Sequence, residues 1–585
     1  MNRYEITISL LIGWGCDSMS LASGHGHGRF DKHTLSEIDI YKTTLALCDS
    51  VSIKASPLLL GLKGEDKEWV TVNVFKYANY SNLKYTKNGK TVLKFQLINQ
   101  RADFSFVLFS GGLSTPKLVA VSNFIIFANP KAPLYPRLAQ GKSWDEEIST
   151  LSGGFFIHIL DLKGHMYTND SCSDRLTIFS DDTVPFVEYA VKGQAKARSP
   201  TGTLTIDQNN LCSSPARTVG RRDQGFIHTS FLKNLGPNFV YTYRMGHFLS
   251  NGSYIWSKSY SFKSPPYPGQ DSPQRVVIFG DLGKAERDGS TMYADYQPGS
   301  LNTTDQLIKD LKNIDIVFVI GDLAYANGYI SQWDQFMSQV EPIASTVPLM
   351  VASGNHDVHS GGECGVTAET LFYFPAENIA NFWYSIDYGM FRFCIADSEH
   401  DWREGSEQYR FLEHCLATVD RRKQPWLIFA AHRPLGYSSN EWYAEEGAYS
   451  EPLGRDDLQK LWQKYRVDIA FFGHVHNYER TCPIYQCVNA ERFHYSGIVE
   501  GTIHVVVGGA GCHLSKFNQE TPKWSLYRDY DYGFVKLTAF NHSSLLFEYK
   551  KSRDGNVSDS FTITREYKDA LACVHDGCEA TTSAS

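Results

Sequence analysis

Two patterns of apolar and polar positions divide the chain. Between about residues 40 and 130 the positions alternate, as in WVTVNVFKYANY and KLVAVSNFIIFANP. Period-2 alternation rich in aromatic and β-branched residues predicts antiparallel strands with one buried face. The proline cluster at 130–136 (PKAPLYP) marks a linker. Strand-like segments such as FIHTSFL and YTYRM then resume, up to a second cluster at 264–269, SPPYPG. The expected organisation is two β-sandwich domains, over 35–130 and 131–268, joined by proline-rich linkers.

Beyond Gly269 short continuous apolar runs alternate with amphipathic stretches, among them TTDQLIKDLKN, EQYRFLEHCLATVDRR and DDLQKLWQKYR. Apolar runs with no polar alternation are strands covered on both faces. Their alternation with helices predicts an α/β domain, over 270–566, with a tail at 567–585. No internal repeat of fixed period is present.

Five of these buried runs end in a group able to bind a metal. VVIFGDLG ends at Asp281, IDIVFVIGDLAY at Asp322 and Tyr325, and VPLMVASGNHD at Asn355 and His356. WLIFAAHR ends at His432, and VDIAFFGHVHNYER at His474 and His476. In an open α/β sheet the side chains just past the carboxyl ends of the strands converge on one crevice. A glycine precedes the polar residue at 280, 321, 354 and 473, permitting a sharp turn and close backbone approach. Any one Gly-Asp after a strand is ordinary turn chemistry, and a lone histidine there is more often structural. Five strand ends carrying hard or borderline ligands together predict a metal site. Carboxylate and phenolate suit a hard trivalent ion, imidazole and amide a borderline divalent one. Seven ligands with one shared carboxylate fill a two-metal site, the arrangement for in-line displacement at phosphorus. No Cys-x-x-Cys pair accompanies the histidines, which excludes zinc-finger chemistry.

Composition narrows the rest. With 585 residues, 42% hydrophobic and 21% charged, the chain can bury a sizeable core, excluding disorder, collagen and coiled coil. A net charge of −8 gives no electrostatic footprint for a nucleic acid polymer. No apolar run reaches the roughly 18 residues of a membrane-spanning helix. Residues 1–22 read as a signal peptide, with one arginine, the apolar stretch 6–14 and a small-residue site near Ala22. Six Asn-x-Ser/Thr sequons, at Asn79, Asn169, Asn251, Asn302, Asn541 and Asn556, fit a glycoprotein. The 12 cysteines become an odd number once Cys16 leaves with the leader, which permits a free thiol or a disulfide-linked homodimer. Cys482/Cys487 and Cys573/Cys578 are spaced for local loops, though each could bridge elsewhere or stay unpaired. The Gly-His stretch at 24–29 reads as a solvated leader. No C-terminal anchor signal or retention tetrapeptide is seen.

The set GDLG, GDLAY, GNHD, AAHR and GHVHNYER, in this order, resembles the metallophosphoesterases, and specifically the purple acid phosphatases, because of the tyrosine in GDLAY. Residues 111–146 and 527–552 resemble the large plant subgroup with an extra N-terminal domain. The resemblance implies an α/β metallophosphoesterase domain, an αββα sandwich, preceded by fibronectin III-like β-sandwich domains, one of them over 131–268. It implies Asp281, Tyr325 and His476 as ligands of Fe(III), Asp322 as the bridging carboxylate, and Asn355, His432 and His474 as ligands of a second divalent ion, Zn, Fe or Mn. It implies hydrolysis of a phosphorylated small molecule by in-line attack of metal-bound hydroxide, in a secreted or vacuolar enzyme. Fe(III) suits acidic pH because water on so strong a Lewis acid ionises below neutrality.

The chain departs from the family pattern at three places. About nine residues after His432 the family carries two adjacent histidines that grip phosphate, whereas here Glu441 and Trp442 occupy these places. The segment after GNHD is short, with Asp357 for the usual glutamate, and EISTLSGGFFIHIL lacks an expected tryptophan-rich strand. His356 and Glu441 are the candidates for general acid or phosphate contact. Two alternatives follow: an inactive homologue acting as a binding or regulatory metalloprotein, or a nucleotide pyrophosphatase/phosphodiesterase with a roomier pocket.

Overall fold

The structure, a computed structural model, describes residues 132–141 and 185–566. The second range excludes short segments at 222–225, 249–251, 288–290, 293–296, 298, 377–380, 442–454, 485–492 and 497–500. Between residues 3 and 121, and over 153–161, it describes the course of strands. Strands Pro57–Lys63, Trp69–Tyr77, Ser105–Ser110 and Lys117–Val121 pair antiparallel in one sheet, as the alternation predicts. A second, eight-stranded sheet runs from Leu134–Gln140 to Tyr260–Lys263, every pairing antiparallel. EISTLSGGFFIHIL does supply one of its strands, Gly153–Asp161, between Leu134–Gln140 and Phe226–Leu235, despite lacking tryptophan. Arg3–Leu11 runs antiparallel to Lys90–Ile98, whereas a cleaved leader over 1–22 would remove this strand.

The C-terminal domain is built from two mixed seven-stranded sheets. Its strands are β1 (Gln274–Phe279), β2 (Ile316–Ile320), β3 (Leu349–Ala352), β4 (Tyr384–Tyr388), β5 (Phe391–Ile395), β6 (Trp426–Ala431) and β7 (Ile469–Phe472). They continue as β8 (Tyr478–Pro483), β9 (His494–Ser496), β10 (Ile503–Val507), β11 (Ser525–Asp529), β12 (Gly533–Asn541), β13 (Ser544–Lys551) and β14 (Val557–Thr564). One sheet has the order β3-β2-β1-β12-β13-β14-β9, the other β4-β5-β6-β7-β10-β8-β11. Strands β1, β2 and β3 are parallel, as are β5, β6, β7 and β10. These are the continuous apolar runs of the sequence. Every residue of β2, β3, β6 and β7 is buried, because each strand has protein on both faces.

The two sheets pack face to face, with Phe318 against Phe393 at 4.4 Å and Phe471 stacked on Phe547 at 6.2 Å. Helices α1 (Ser300–Lys309) and α2 (Ile330–Ala344) pair beside the first sheet. Helices α3 (Glu407–Ala417) and α4 (Arg455–Tyr465) pair over the second. Their apolar faces bring Leu412, Leu416, Leu458 and Trp462 onto Phe429 and Phe472. Each such side chain contributes about 1.5–3 kcal/mol by burial. The Ser406 hydroxyl caps α3 by accepting from the Tyr409 amide at 3.1 Å. The expected αββα layering is therefore present, with the β-rich region ahead of it.

Side-chain hydrogen bonds and a disulfide lock the eight-stranded sheet to this domain. Arg137 donates to the Leu371 carbonyl at 2.8 Å, and the Tyr243 hydroxyl to the Ser345 carbonyl at 2.8 Å. The disulfide Cys212–Cys364 joins a sandwich loop to the segment after β3, while Cys394–Cys415 ties β5 to α3. Cys482 is also disulfide-bonded. Cys487, Cys573 and Cys578 lie outside the described residues. Among the described residues Cys512 is a free, buried thiol.

Candidate metal centre

The parallel strands deliver their end groups to one place, where the two sheets meet. Asp281 follows β1, Asp322 and Tyr325 follow β2, Asn355 and His356 follow β3, His432 follows β6, and His474 and His476 follow β7. Backbone strain concentrates at these turns. Asp281 (φ 59°), Asp322 (φ 51°), Tyr325 (φ 48°) and His474 (φ 66°) are all left-handed. Non-glycine residues so held cost about 1–3 kcal/mol each and persist where their surroundings over-determine them, commonly at functional sites. Gly321 and Gly354 permit the close approach. A Cβ on Gly321 (φ 89°) would run into the His432 ring, and one on Gly354 into the Asp322 carboxylate.

All seven residues expected as ligands converge. Ligand atoms of Asp281, Asp322 and His476 lie within 4.8 Å of one another, as do those of Asp322, His432 and His474. Asp322 belongs to both triads. The Tyr325 hydroxyl completes the first, 3.1 Å from Asp281 Oδ1 and 3.1 Å from His476 Nε2. Asn355 completes the second, its Oδ1 3.1 Å from His432 Nε2. The imidazoles are oriented from behind. His432 Nδ1 bonds the Ile320 carbonyl at 3.0 Å, and His476 Nδ1 the His513 carbonyl at 2.8 Å. A carbonyl can only accept, so both Nδ1 atoms carry hydrogen and both Nε2 atoms face the cluster. Backbone amides hold the carboxylates: His474 donates to Asp281 Oδ2 and His356 to Asp322 Oδ1, both at 2.8 Å.

Asp281, Asp322 and His432 are essentially inaccessible to solvent. Burial alone would raise the Asp322 pKa, but the neighbouring His432 and His356 hold it well below the usual carboxylate range. Burial would conversely lower the His432 pKa, yet the charges of Asp322 and Asp281 push it up to about 10. His476 is raised likewise against its burial, by Asp281. Burial and the charges of Asp281 and Asp322 push the Tyr325 phenol up. The carboxylates thus create a demand for positive charge that protonated imidazoles satisfy. Metal ions satisfy the same demand while displacing those protons. Oxygen-rich donors around Asp281 and nitrogen-bearing ones around His432, with tautomers already fixed, fit two ions sharing Asp322.

The neighbouring residues divide by how visible they were. His356 is half-buried, its ring 4.5 Å from that of Tyr325 and its Nδ1 3.1 Å from the Ser360 hydroxyl. Glu441 is exposed, and its amide donates to the Lys516 carbonyl at 3.2 Å; no hydrogen bond or ion pair joins its side chain to the seven among the described residues. Trp442 lies outside them. Sequence reasoning assigned no role to four further contributors. Asp357 braces the site by accepting from the Leu323 and Gly354 amides, each at 3.0 Å. The Cys512 thiol borders Tyr325 and His476. Arg433 is gripped by Glu399, whose carboxyl, despite burial, is held down at about 2 by His359 and Arg433. The arginine of AAHR was the only signal for this pair; nothing near Glu399 in the sequence marks it.

The chain matches three family models: calcineurin-like phosphoesterase over residues 274–478, iron/zinc purple acid phosphatase-like protein C over 501–560, and the Fn3-like domain from purple acid phosphatase over 74–129. It is 61% identical to "Probable inactive purple acid phosphatase 27" of Arabidopsis thaliana, covering 97% of this chain and 98% of that protein. It is 67% identical to a "Nucleotide pyrophosphatase/phosphodiesterase" of Hordeum vulgare over 57% of this chain and 95% of that one. Among solved structures it resembles a purple acid phosphatase isolated from yellow lupin (Lupinus luteus) seeds. There the TM-score is 0.81 and the identity 56%, covering 91% of this chain and 94% of that one.

Proposed function

The chain belongs to the purple acid phosphatase family, binuclear-metal phosphoesterases, and from that premise we propose that this site hydrolyses phosphate esters with the residues assigned as follows. Asp281, Tyr325 and His476 hold Fe(III), Asn355, His432 and His474 hold a divalent ion, Zn, Fe or Mn, and Asp322 bridges them. The observation that carries this reading is the sharing of Asp322 between two triads, each within 4.8 Å. When bound, the ions supply Lewis acidity and make water acidic enough to serve as nucleophile in acid. The chain's own groups do the rest. The fixed Nδ1–H bonds of His432 and His476 keep their rings aimed without reorganisation. His356, anchored through Ser360 beside Tyr325, is positioned to protonate a leaving group or bond a phosphoryl oxygen. Glu441 is the second candidate acid, and an unchanged kcat in Glu441→Gln would remove it.

The remaining assignments form part of the same proposal. Residues 1–22 form a leader, 35–130 and 131–268 two β-sandwich units, the first carrying the Fn3-like match over 74–129 and the second a further fibronectin III-like unit, 270–566 the catalytic unit and 567–585 a tail. The protein is secreted or vacuolar and glycosylated, does not bind a nucleic acid polymer, and is free to form a disulfide-linked homodimer. No helix among the described residues is long and apolar enough to cross a membrane. Asn541 and Asn556 are exposed at the β12–β13 and β13–β14 turns, and Asn302 on α1; Asn79, Asn169 and Asn251 lie outside the described residues. N-terminal sequencing and glycopeptide mass spectrometry of the mature protein test the leader and the glycans.

The decisive experiment is turnover against pH on metal-replete protein, comparing p-nitrophenyl phosphate, its bis-ester and a nucleotide pyrophosphate. An acidic optimum on the monoester is expected. A preference for the bis-ester or pyrophosphate moves the protein to the second reading, which the name of the barley relative and the exposed Glu441 favour. No turnover of any of the three overturns the catalytic reading and leaves a binding metalloprotein.

A further inference from the structure

Two side chains of opposite charge are buried against the loop that carries Tyr325. Lys284 and Glu363 are each 1% exposed. Lys284 follows the GDLG of Asp281, and its Nζ donates to the Ala324 carbonyl at 3.2 Å and the Tyr325 carbonyl at 3.5 Å. Glu363 holds the far end of the same loop. Its Oε1 accepts from the Gly328 amide at 2.6 Å and its Oε2 from Trp333 Nε1 at 2.7 Å. The Lys284 and Glu363 charges act on each other across the loop.

The backbone between these two holds is unusual. Tyr325 (φ 48°), Asn327 (φ 48°) and Gly328 (φ 87°) are all left-handed, a run that persists only where the surroundings impose it. The Glu363 turn is itself anchored to a sandwich loop. The Gly361 and Gly362 carbonyls accept from the Ala216 and Cys212 amides at 3.0 and 2.9 Å, and Cys364 is bonded to Cys212. A Cβ on Gly328 would strike the Gly361 carbonyl, so the two turns are in direct contact. Burying an ion pair gains little stability over apolar side chains of the same volume. What the charges provide is direction: the ammonium fixes two carbonyls and the carboxylate two N–H groups, on either side of Tyr325. The donors assigned to the second ion, Asn355, His432 and His474, stand on other turns, after β3, β6 and β7.

We propose that Lys284 and Glu363 are positioning residues for the iron half of the site, holding the 324–328 loop from both ends so that the Tyr325 phenol stays on Fe(III). The proposal rests on the metal assignment of the phosphoesterase reading above. It makes the two halves of the site separable, because the clamp acts on one triad.

The test loads the full chain with Fe(III) and Zn(II) and measures each affinity by chelator competition, with the visible absorption recorded per bound iron. Lys284→Met and Glu363→Gln should each weaken Fe(III) binding about 10–100-fold, the range for groups that orient a ligand, and leave Zn(II) binding within about 2-fold. The visible band should shift or weaken per bound iron in both. Lys284→Arg should recover part of the iron affinity, because the charge and its donors return. Glu363→Gln removes a charge at constant shape, so it reads the proposal even where Lys284→Met does not fold. Wild-type iron affinity and band in both variants overturn the clamp, and so does equal loss of both metals, which marks a merely structural role. In either case loss of colour in Tyr325→Phe, prepared alongside, leaves the metal assignment standing. Colour retained in Tyr325→Phe overturns that assignment and the clamp with it.

Discussion

Strand β7 has a buried carboxylate site at each end, and the two are solved in opposite ways. At its amino end Asp468 is closed off by permanent cations. Its Oδ1 accepts from Arg565 at 2.5 Å, and its Oδ2 from Arg421 at 3.2 Å and from the Leu427 amide at 2.8 Å. Its own amide bonds the Leu427 carbonyl and its carbonyl the Ile503 amide, so it ties the starts of β6, β7 and β10 together. At the carboxyl end, past Gly473, Asp281 and Asp322 are equally buried and, among the described residues, are met by imidazoles, a phenol and amides. Guanidinium cannot leave, so the first arrangement is structural. Protons on histidine can be exchanged for metal ions, so the second is a binding site. Burial of charge is the same problem at both ends, and the kind of cation provided separates fold from function.

Variants at the two ends should therefore fail differently. The largest effect is expected for Asp322→Asn: turnover falls about 10³-fold or more, and both metals are lost together in elemental analysis. Loss of one metal alone would show that the carboxylate does not bridge. Asp468→Ala should leave metal content per folded molecule intact but lower the unfolding free energy by about 3–5 kcal/mol, because two buried guanidinium groups lose their partner. Denaturant melts at pH 7 measure this, and an unchanged midpoint would make the amino-end cluster dispensable.

A smaller effect tests the layer between the ends. His504 on β10 is fully buried among Tyr437, Trp462 and Phe472, and burial pushes its pKa from 6.5 down to about 3. It stays neutral when folded, while the unfolded chain takes up a proton below pH 6.5. Its contribution is thus complete above pH 6.5 and is lost as pH falls towards 3. His504→Phe should gain about 2 kcal/mol relative to wild type on going from pH 7 to pH 5. Parallel pH–stability curves for the two proteins would contradict the buried neutral state. The smallest change in stability, about 1 kcal/mol, is expected for Tyr325→Phe, which loses one hydroxyl bond to Asp281 yet should lose its visible absorption entirely. Colour retained in that variant would remove Tyr325 from the iron.

The sequence reached the seven converging residues because each lies one to five residues past the end of an apolar run, a local spacing that a parallel sheet turns into a spatial cluster. Asp281, Asp322, Asn355, His432 and His474 were legible for that reason. Asp468 was not, because an aspartate before an apolar run looks the same whether it faces water or two arginines.

What the sequence determined by itself, then, is local: the two textures, the strand ends, the residue types at those ends and the glycines that admit them. What only the tertiary structure decided is long-range. It set β12, from residues 533–541, beside β1, and brought Glu399 to Arg433 and Cys512 to Tyr325. It fixed which imidazole nitrogen faces the cluster through carbonyls of Ile320 and His513. Periodicity reports which face of an element is buried; it carries no information on which distant element covers that face. The partners that tune charge and hydrogen-bond direction are therefore chosen by packing.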